Sequence, residues 1–130
     1  MRDIFIVART GRALATSAYQ AGYEVHVLDC FADEDTKAVA KTTCQLQSLR
    51  EGFDKTELME QVKELVSFYP KAVMVVGTGF EKTPELLEDL AKIIPVFSND
   101  EKTIKSLKDP IYFSNILRNA SIKSPEISFA

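Results

Sequence analysis

The chain has 130 residues, of which 45% are hydrophobic and 27% charged, with a net charge of −3; this is the composition of one soluble globular domain, long enough to bury a core without disulfide or metal staples. Lysines and glutamates are interspersed and gather into no basic face, which argues against nucleic acid as a partner. No apolar run approaches the roughly eighteen residues of a membrane span, and the amino terminus lacks the layout of a signal peptide, so the expectation is a cytoplasmic protein with no membrane partner.

Ile4–Ala8 is a continuous apolar run of branched and aromatic residues, the pattern of a parallel strand covered on both faces. Arg9-Thr10-Gly11-Arg12 interrupts it as a loop. Ala13–Gln20 carries helix formers and small residues, and Gly22 is a natural stop. Glu24–Leu28 is a second short apolar run, ending at Asp29. Strand, loop, helix and strand make a βαβ unit with a right-handed crossover. The single histidine, His26, alternates with Val25 and Val27 and reads as a strand residue. The two cysteines, Cys30 and Cys44, form no CxxC pair. This supply is too thin for a structural zinc site or a cysteine–histidine nucleophile, so no catalytic and no metal-binding residue is assigned.

Phe31–Asp35 reads as an acidic loop leading into a short helix over Thr36–Lys41, capped by Asp35 or Thr36. Its three carboxylates lack the ordered spacing of a calcium loop and read as a solvated helix start. Thr43–Leu49 alternates weakly, as an edge strand does. Asp54 opens a helix whose stripe is Leu58, Val62, Leu65 and Val66, closed by Pro70. Ala72–Val76 is the most strongly buried-looking strand and runs into Gly77-Thr78-Gly79-Phe80-Glu81. Thr83-Pro84-Glu85 signals a helix start, with Leu86, Leu87, Leu90, Ile93 and Ile94 as its stripe. Pro95 ends it, and Val96–Ser98 is a brief last strand. Asp100 caps Glu101–Leu107, and Asp109-Pro110 starts a helix with the stripe Ile111, Phe113, Ile116 and Leu117. Asn119–Pro125 reads as an exit and linker, and Glu126–Ala130 as the opening of a strand with no partner in view.

These elements predict a three-layer α/β domain with a mainly parallel sheet of four or five strands and helices on both faces. Open parallel sheets bind ligands beyond the carboxyl ends of their strands. That edge gathers Arg9, Thr10, Gly11, Arg12 and Asp29 with Gly77, Thr78, Gly79, Phe80 and Glu81, and the N–H groups opening the first helix favour an anion there. Glycines at such loops either let backbone approach a ligand or serve turn geometry alone. A dinucleotide fold is excluded because Ala8–Ala13 holds one glycine where GxGxxG needs three, although Asp29 stands where a ribose-binding acid would. No GKS or GKT phosphate loop occurs. A phosphorelay receiver would need acids where Ala8-Arg9 and Val76-Gly77 stand.

The Ala8–Arg12 loop, the small-residue helix, Asp29-Cys30-Phe31-Ala32-Asp33 and Gly77–Glu81, followed by Ser98–Glu101, Lys108-Asp109-Pro110, Phe113 and Ile122–Pro125, resemble in order and spacing the amino-terminal domain of ATP-grasp proteins. The resemblance implies a Rossmann-like pre-ATP-grasp domain over residues 1–120 and a linker over 121–130 toward an ATP-binding region. It further implies the substrate-side domain of a carboxylate–amine ligase. Such a domain is not catalytic alone and binds no cofactor alone, ATP and Mg²⁺ belonging to a longer protein. Arg9 or Arg12 would then pair with an anionic small-molecule substrate, and Asp29 or Glu81 would accept hydrogen bonds. The alternative is a free-standing small-molecule or protein-binding module. Ile127-Ser128-Phe129-Ala130, apolar and unpaired, is an expected surface for self-association.

Overall fold

Along β1 (Asp3–Val7) successive side chains enter two different cores, as a strand covered on both faces requires. Phe5 and Val7 face one, Ile4 and Ile6 the other. The computed structural model describes residues 2–128. Its elements continue with α1 (Arg12–Gln20), β2 (Glu24–Asp29), α2 (Glu34–Val39), β3 (Thr42–Gln45), β4 (Ser48–Leu49), β5 (Gly52–Phe53), α3 (Lys55–Phe68), β6 (Val73–Val76), α4 (Glu85–Ala91), β7 (Val96–Phe97), α5 (Glu101–Lys108) and α6 (Pro110–Asn119). Five strands form one sheet in the order β3-β2-β1-β6-β7, every pairing parallel. In register, Phe5 lies between His26 and Met74, and Ile6 between Val27 and Val75.

The larger core lies between one face of the sheet and the helices α3 and α4, where Leu58, Val62 and Leu65 meet Leu86, Leu87 and Leu90 over Phe5, Leu28 and Met74. On the opposite face Ala15, with Leu14 and Ala18, covers Ile4, Ile6, Val25, Val27 and Val73. Each large apolar side chain fully buried there stabilises the fold by about 1.5–3 kcal/mol before entropy is counted. The fold is the expected three-layer α/β architecture. No helix among the described residues is long and apolar enough to cross a membrane.

His26 is fully buried on β2, and its ring lies 4.0 Å from that of Tyr69. Its Nε2 meets Asp3 Oδ1 at 2.8 Å and its Nδ1 meets Thr42 Oγ1 at 2.8 Å. A carboxylate only accepts, so Nε2 carries the proton and, in the neutral ring, Nδ1 accepts from the Thr42 hydroxyl. The histidine is thus a satisfied core residue near the amino-terminal edge of the sheet, remote from the strands' carboxyl ends.

Several boundaries differ from expectation. Helix α2 begins at Glu34, capped by Asp33, whose carboxylate accepts from Thr36 N at 2.8 Å; Asp35 and Thr36 lie inside the helix. The stretch expected as one strand over Thr43–Leu49 splits into β3, on the sheet edge, and β4, which pairs antiparallel with β5. Thr83 provides no side-chain cap to α4, and its buried Oγ1 has no hydrogen-bond partner among the described residues. Asp100 and Asp109 do cap α5 and α6, accepting from Thr103 N at 2.7 Å and from Ile111 N at 2.9 Å. The apolar stripe of α6 is present but not buried: Ile111, Phe113 and Ile116 are exposed, because this helix packs on α5 and not on the sheet. Glu126–Ser128 forms no strand, and Phe129 and Ala130 lie outside the described residues.

Candidate functional site

The strand order places a topological switch point between β1 and β6. The chain leaves β1 through α1 toward β2 and β3, then returns through α3 to pair β6 on the other side of β1. Loops after the two central strands diverge there, and in open α/β sheets that crevice is where ligands bind.

The β1 side of the crevice is organised by a buried carboxylate. Asp29 is 1% exposed. Its Oδ2 accepts from Gly11 N at 2.8 Å, and its Oδ1 accepts from Ala32 N at 2.7 Å and Phe31 N at 3.2 Å. The bonds at Oδ1 hold a turn in which Ala32 adopts φ +44°, a conformation that non-glycine residues seldom take. The bond at Oδ2 closes the Arg9–Arg12 loop down onto β2. A Cβ on Gly11 would lie 2.6 Å from Val27 Cγ1, so glycine is required there for close approach. Thr78 O accepts from Arg9 N at 2.7 Å, tying the loop after β1 to the loop after β6.

With its base locked, the loop presents its polar side chains outward. Arg9, Thr10 and Arg12 are exposed. Arg9 Nη2 donates to Ser48 Oγ at 3.1 Å, and Arg12 Nη1 lies 3.4 Å from Asp35 Oδ2 in a pair exposed on both sides. Such a pair holds its arginine weakly, at about 1 kcal/mol or less. The first-turn N–H groups of α1 open at the same loop, from which Arg9 reaches toward the β4–β5 hairpin and Arg12 toward α2.

On the β6 side, Gly77 lets the two central strands close up, since a Cβ there would lie 2.8 Å from Ala8 Cβ. Gly79 adopts φ +121°, and a Cβ on it would lie 2.6 Å from the ring of Phe53. Its N–H donates to Glu81 Oε2 at 2.8 Å. Phe80 is buried, its ring 5.0 Å from that of Phe53, and so is a core residue. Thr78 is exposed. Of the ten residues singled out in sequence, then, Arg9, Thr10, Arg12 and Thr78 face solvent, Glu81 is half-buried, and the others shape the backbone or the core.

The β4–β5 hairpin went unseen in the sequence. It stands beside both loops: Ser48 meets Arg9, Glu51 pairs with Lys82 at 3.3 Å, and Gly52 packs against the carbonyl of Gly79. Its turn, Arg50-Glu51, carries none of the Asn-Gly or Asp-Gly signals that betray a two-residue hairpin. The one trace is Gly52, at φ +119°. Beneath the hairpin, burial pushes the Cys30 thiol above its usual range, with the Ser48 hydroxyl and Arg9 opposing.

Among the described residues no three His, Cys, Asp or Glu side chains converge to hold a metal ion. Of the carboxylates nearest the crevice, Asp29 accepts from three N–H groups and Glu81 from one, at Oε2.

No family model and no curated protein matches this sequence. Solved structures do match it. N5-carboxyaminoimidazole synthetase from Staphylococcus aureus aligns over 96% of this chain and 31% of its own, at 24% identity and a TM-score of 0.64. N5-carboxyaminoimidazole ribonucleotide synthetase from Thermotoga maritima aligns over 97% and 32%, at 18% identity and 0.60. L-amino acid ligase from Bacillus licheniformis aligns over 96% and 32%, at 15% identity and 0.63. The chain therefore spans about a third of the length of these enzymes. At these identities the likeness is one of fold, and it is the fold expected from the resemblance to ATP-grasp proteins.

Proposed function

We propose that this chain forms the substrate-side wall of an ATP-grasp, ligase-like protein and has no catalytic activity alone. The observation that carries the reading is that Arg9, Arg12 and the amino terminus of α1 lie on one solvent-exposed loop at the switch point of a fold shared with ATP-grasp ligases. Guanidinium groups and open N–H groups together select an anion, a carboxylate or phosphate of a small molecule. Thr10 and Thr78 add hydroxyls at the mouth. Asp29 acts through the loop, by fixing where the arginines start.

The same reading divides the labour between this chain and the rest of the protein. With no acid set for Mg²⁺ among the described residues, no step of carboxylate activation is assigned to this chain; ATP and Mg²⁺ belong to a longer, cytoplasmic protein. We place the domain at residues 1–120 and the link toward an ATP-binding region at 121–130; after α6 the described residues 122–128 carry neither helix nor strand.

Reading the coding frame past Ala130 tests this. Continuation into a glycine-rich loop and acidic metal ligands is the expected result. A stop codon there would remove the ligase reading and leave a small-molecule or protein-binding module using the same crevice.

A further inference from the structure

The sheet has two lateral edges, and they differ. β7, on one side, is two residues long and directly follows Pro95, so it offers a neighbouring strand little to pair with. β3, on the other side, is four residues long and pairs with β2 alone. Free edges are commonly blunted by a charge or a proline. β3 has neither device: no charged residue and no proline lies between Lys41 and Arg50.

The register settles which groups face outward. Thr42 pairs with His26 and Cys44 with Leu28, and just past the strand Leu46 N donates to Asp29 O at 2.7 Å. Main-chain groups of alternate residues point the same way, so Thr42, Cys44 and Leu46 face β2. Thr43 and Gln45 therefore turn their N–H and C=O groups away from the sheet. The side chains of Thr42 and Cys44 line a shallow groove with Tyr69 and Phe68. Phe68, 69% exposed, is the most exposed large apolar residue among those described.

We propose that β3 pairs antiparallel with β3 of a second copy of this chain, joining two five-stranded sheets edge to edge. The occupant follows from symmetry. Thr43 and Gln45 stand evenly about Cys44, so a two-fold axis at Cys44 lets each copy's Thr43 exchange main-chain hydrogen bonds with the partner's Gln45. No like charges meet along the paired strands, because they carry none. Cys44 then faces the partner's Cys44 in a non-hydrogen-bonded pair, with Cα atoms about 4.5 Å apart. Each Phe68 closes over the seam on the same face. So short a seam belongs with interfaces burying less than about 1,200 Å², and the dimer is weak and concentration-dependent. It runs along the side of the sheet, leaves the Arg9–Arg12 loop open, and does not rest on the ligase reading.

Sedimentation equilibrium of the 130-residue chain tests it, with a dimer midpoint expected on the order of 100 µM within a range of about 10 µM to about 1 mM. Thr43→Pro removes an outward N–H from an edge strand, where proline is tolerated, and is expected to weaken the dimer at least about tenfold. Phe68→Ser, at a side chain mostly in solvent, is expected to weaken it too and reads the same seam should the proline variant unfold. The thiol oxidant diamide, which takes up the two thiol hydrogens, is expected to link the parent through Cys44, since the pair falls within the roughly 4.4–6.8 Å between Cα atoms that a disulfide spans. It is expected to link neither Cys44→Ser nor Thr43→Pro, the other cysteine, Cys30, being buried. A monomer throughout the concentration range would overturn the proposal. So would a dimer that Thr43→Pro and Phe68→Ser leave unchanged, which would put the contact elsewhere, as on the exposed apolar side chains of α6.

Discussion

The two sides of the carboxyl edge are built by different physics. Around β1 and β2 the geometry is polar: one buried carboxylate, Asp29, gathers three backbone N–H groups and frees the arginines to face outward. Around β6 and β7 it is steric: Gly77 and Gly79 admit Ala8 and Phe53 where a Cβ would collide, and apolar side chains line a hollow beyond. The first side presents charge to solvent, and the second is shaped by apolar contact. A hydrogen-bonded bracket separates structural from functional polar groups, whereas close packing merges shape and stability in the same residues.

Mutations that strike the bracket and the packing should separate these modes. Asp29→Ala leaves Gly11, Phe31 and Ala32 N–H groups without their acceptor, for an expected loss on the order of 3–5 kcal/mol in urea unfolding; a loss within the ±0.5 kcal/mol or so of a surface change would remove the bracket from the account. Gly79→Ala forces a Cβ at φ +121° against the Phe53 ring, at an expected cost of about 2–3 kcal/mol by the same measurement, and it should also loosen the hairpin, read as faster amide exchange at Phe53. An unchanged urea midpoint would show that Phe53 moves aside freely.

The smallest expected effect lies away from the site and serves as a control. Asp89 is held by Lys55 at 2.7 Å and Lys92 at 2.9 Å, and these contacts bring its carboxyl from the usual 3.8 down to about 2. A carboxyl depressed on folding stabilises the fold fully above its unfolded value and loses that contribution as pH falls through the folded one. Asp89→Asn should therefore be slightly less stable than the parent near neutrality, with the difference vanishing between pH 3.8 and about 2. A difference that persists at the acid end would mean that packing, and not charge, sets it.

What the sequence revealed depended on how local its causes were. Continuous apolar runs such as Ile4–Ala8 and Val73–Val76 mark buried parallel strands by themselves, and the stripes Leu58-Val62-Leu65 and Leu86-Leu87-Leu90 mark the helices that cover them. The switch-point loops were legible because strand ends can be counted. The role of Asp29 was not, since nothing local distinguishes a carboxylate that folds back on Gly11, eighteen residues earlier, from one that faces a ligand. The hairpin Ser48–Phe53 was hidden for the same reason: it is held by contacts with Gly79, Arg9 and Lys82 rather than by its own turn residues. The stripe of α6 was legible as amphipathicity, which shows that a helix has an apolar face and not what covers it.

The central claim is that Arg9 and Arg12 are free to bind and not needed to fold. The double variant Arg9→Ala/Arg12→Ala, compared with the parent in thermal unfolding and in phosphate titration, tests both halves at once. The arginines contribute one exposed hydrogen bond and one exposed ion pair, so the account predicts a loss of no more than about 1–2 kcal/mol and a Tm lower by only a few degrees, with phosphate-induced shifts at the loop abolished. Unfolding of the double variant would make the arginines structural; phosphate shifts undiminished in a folded variant would place the anion elsewhere. Either result would contradict the account.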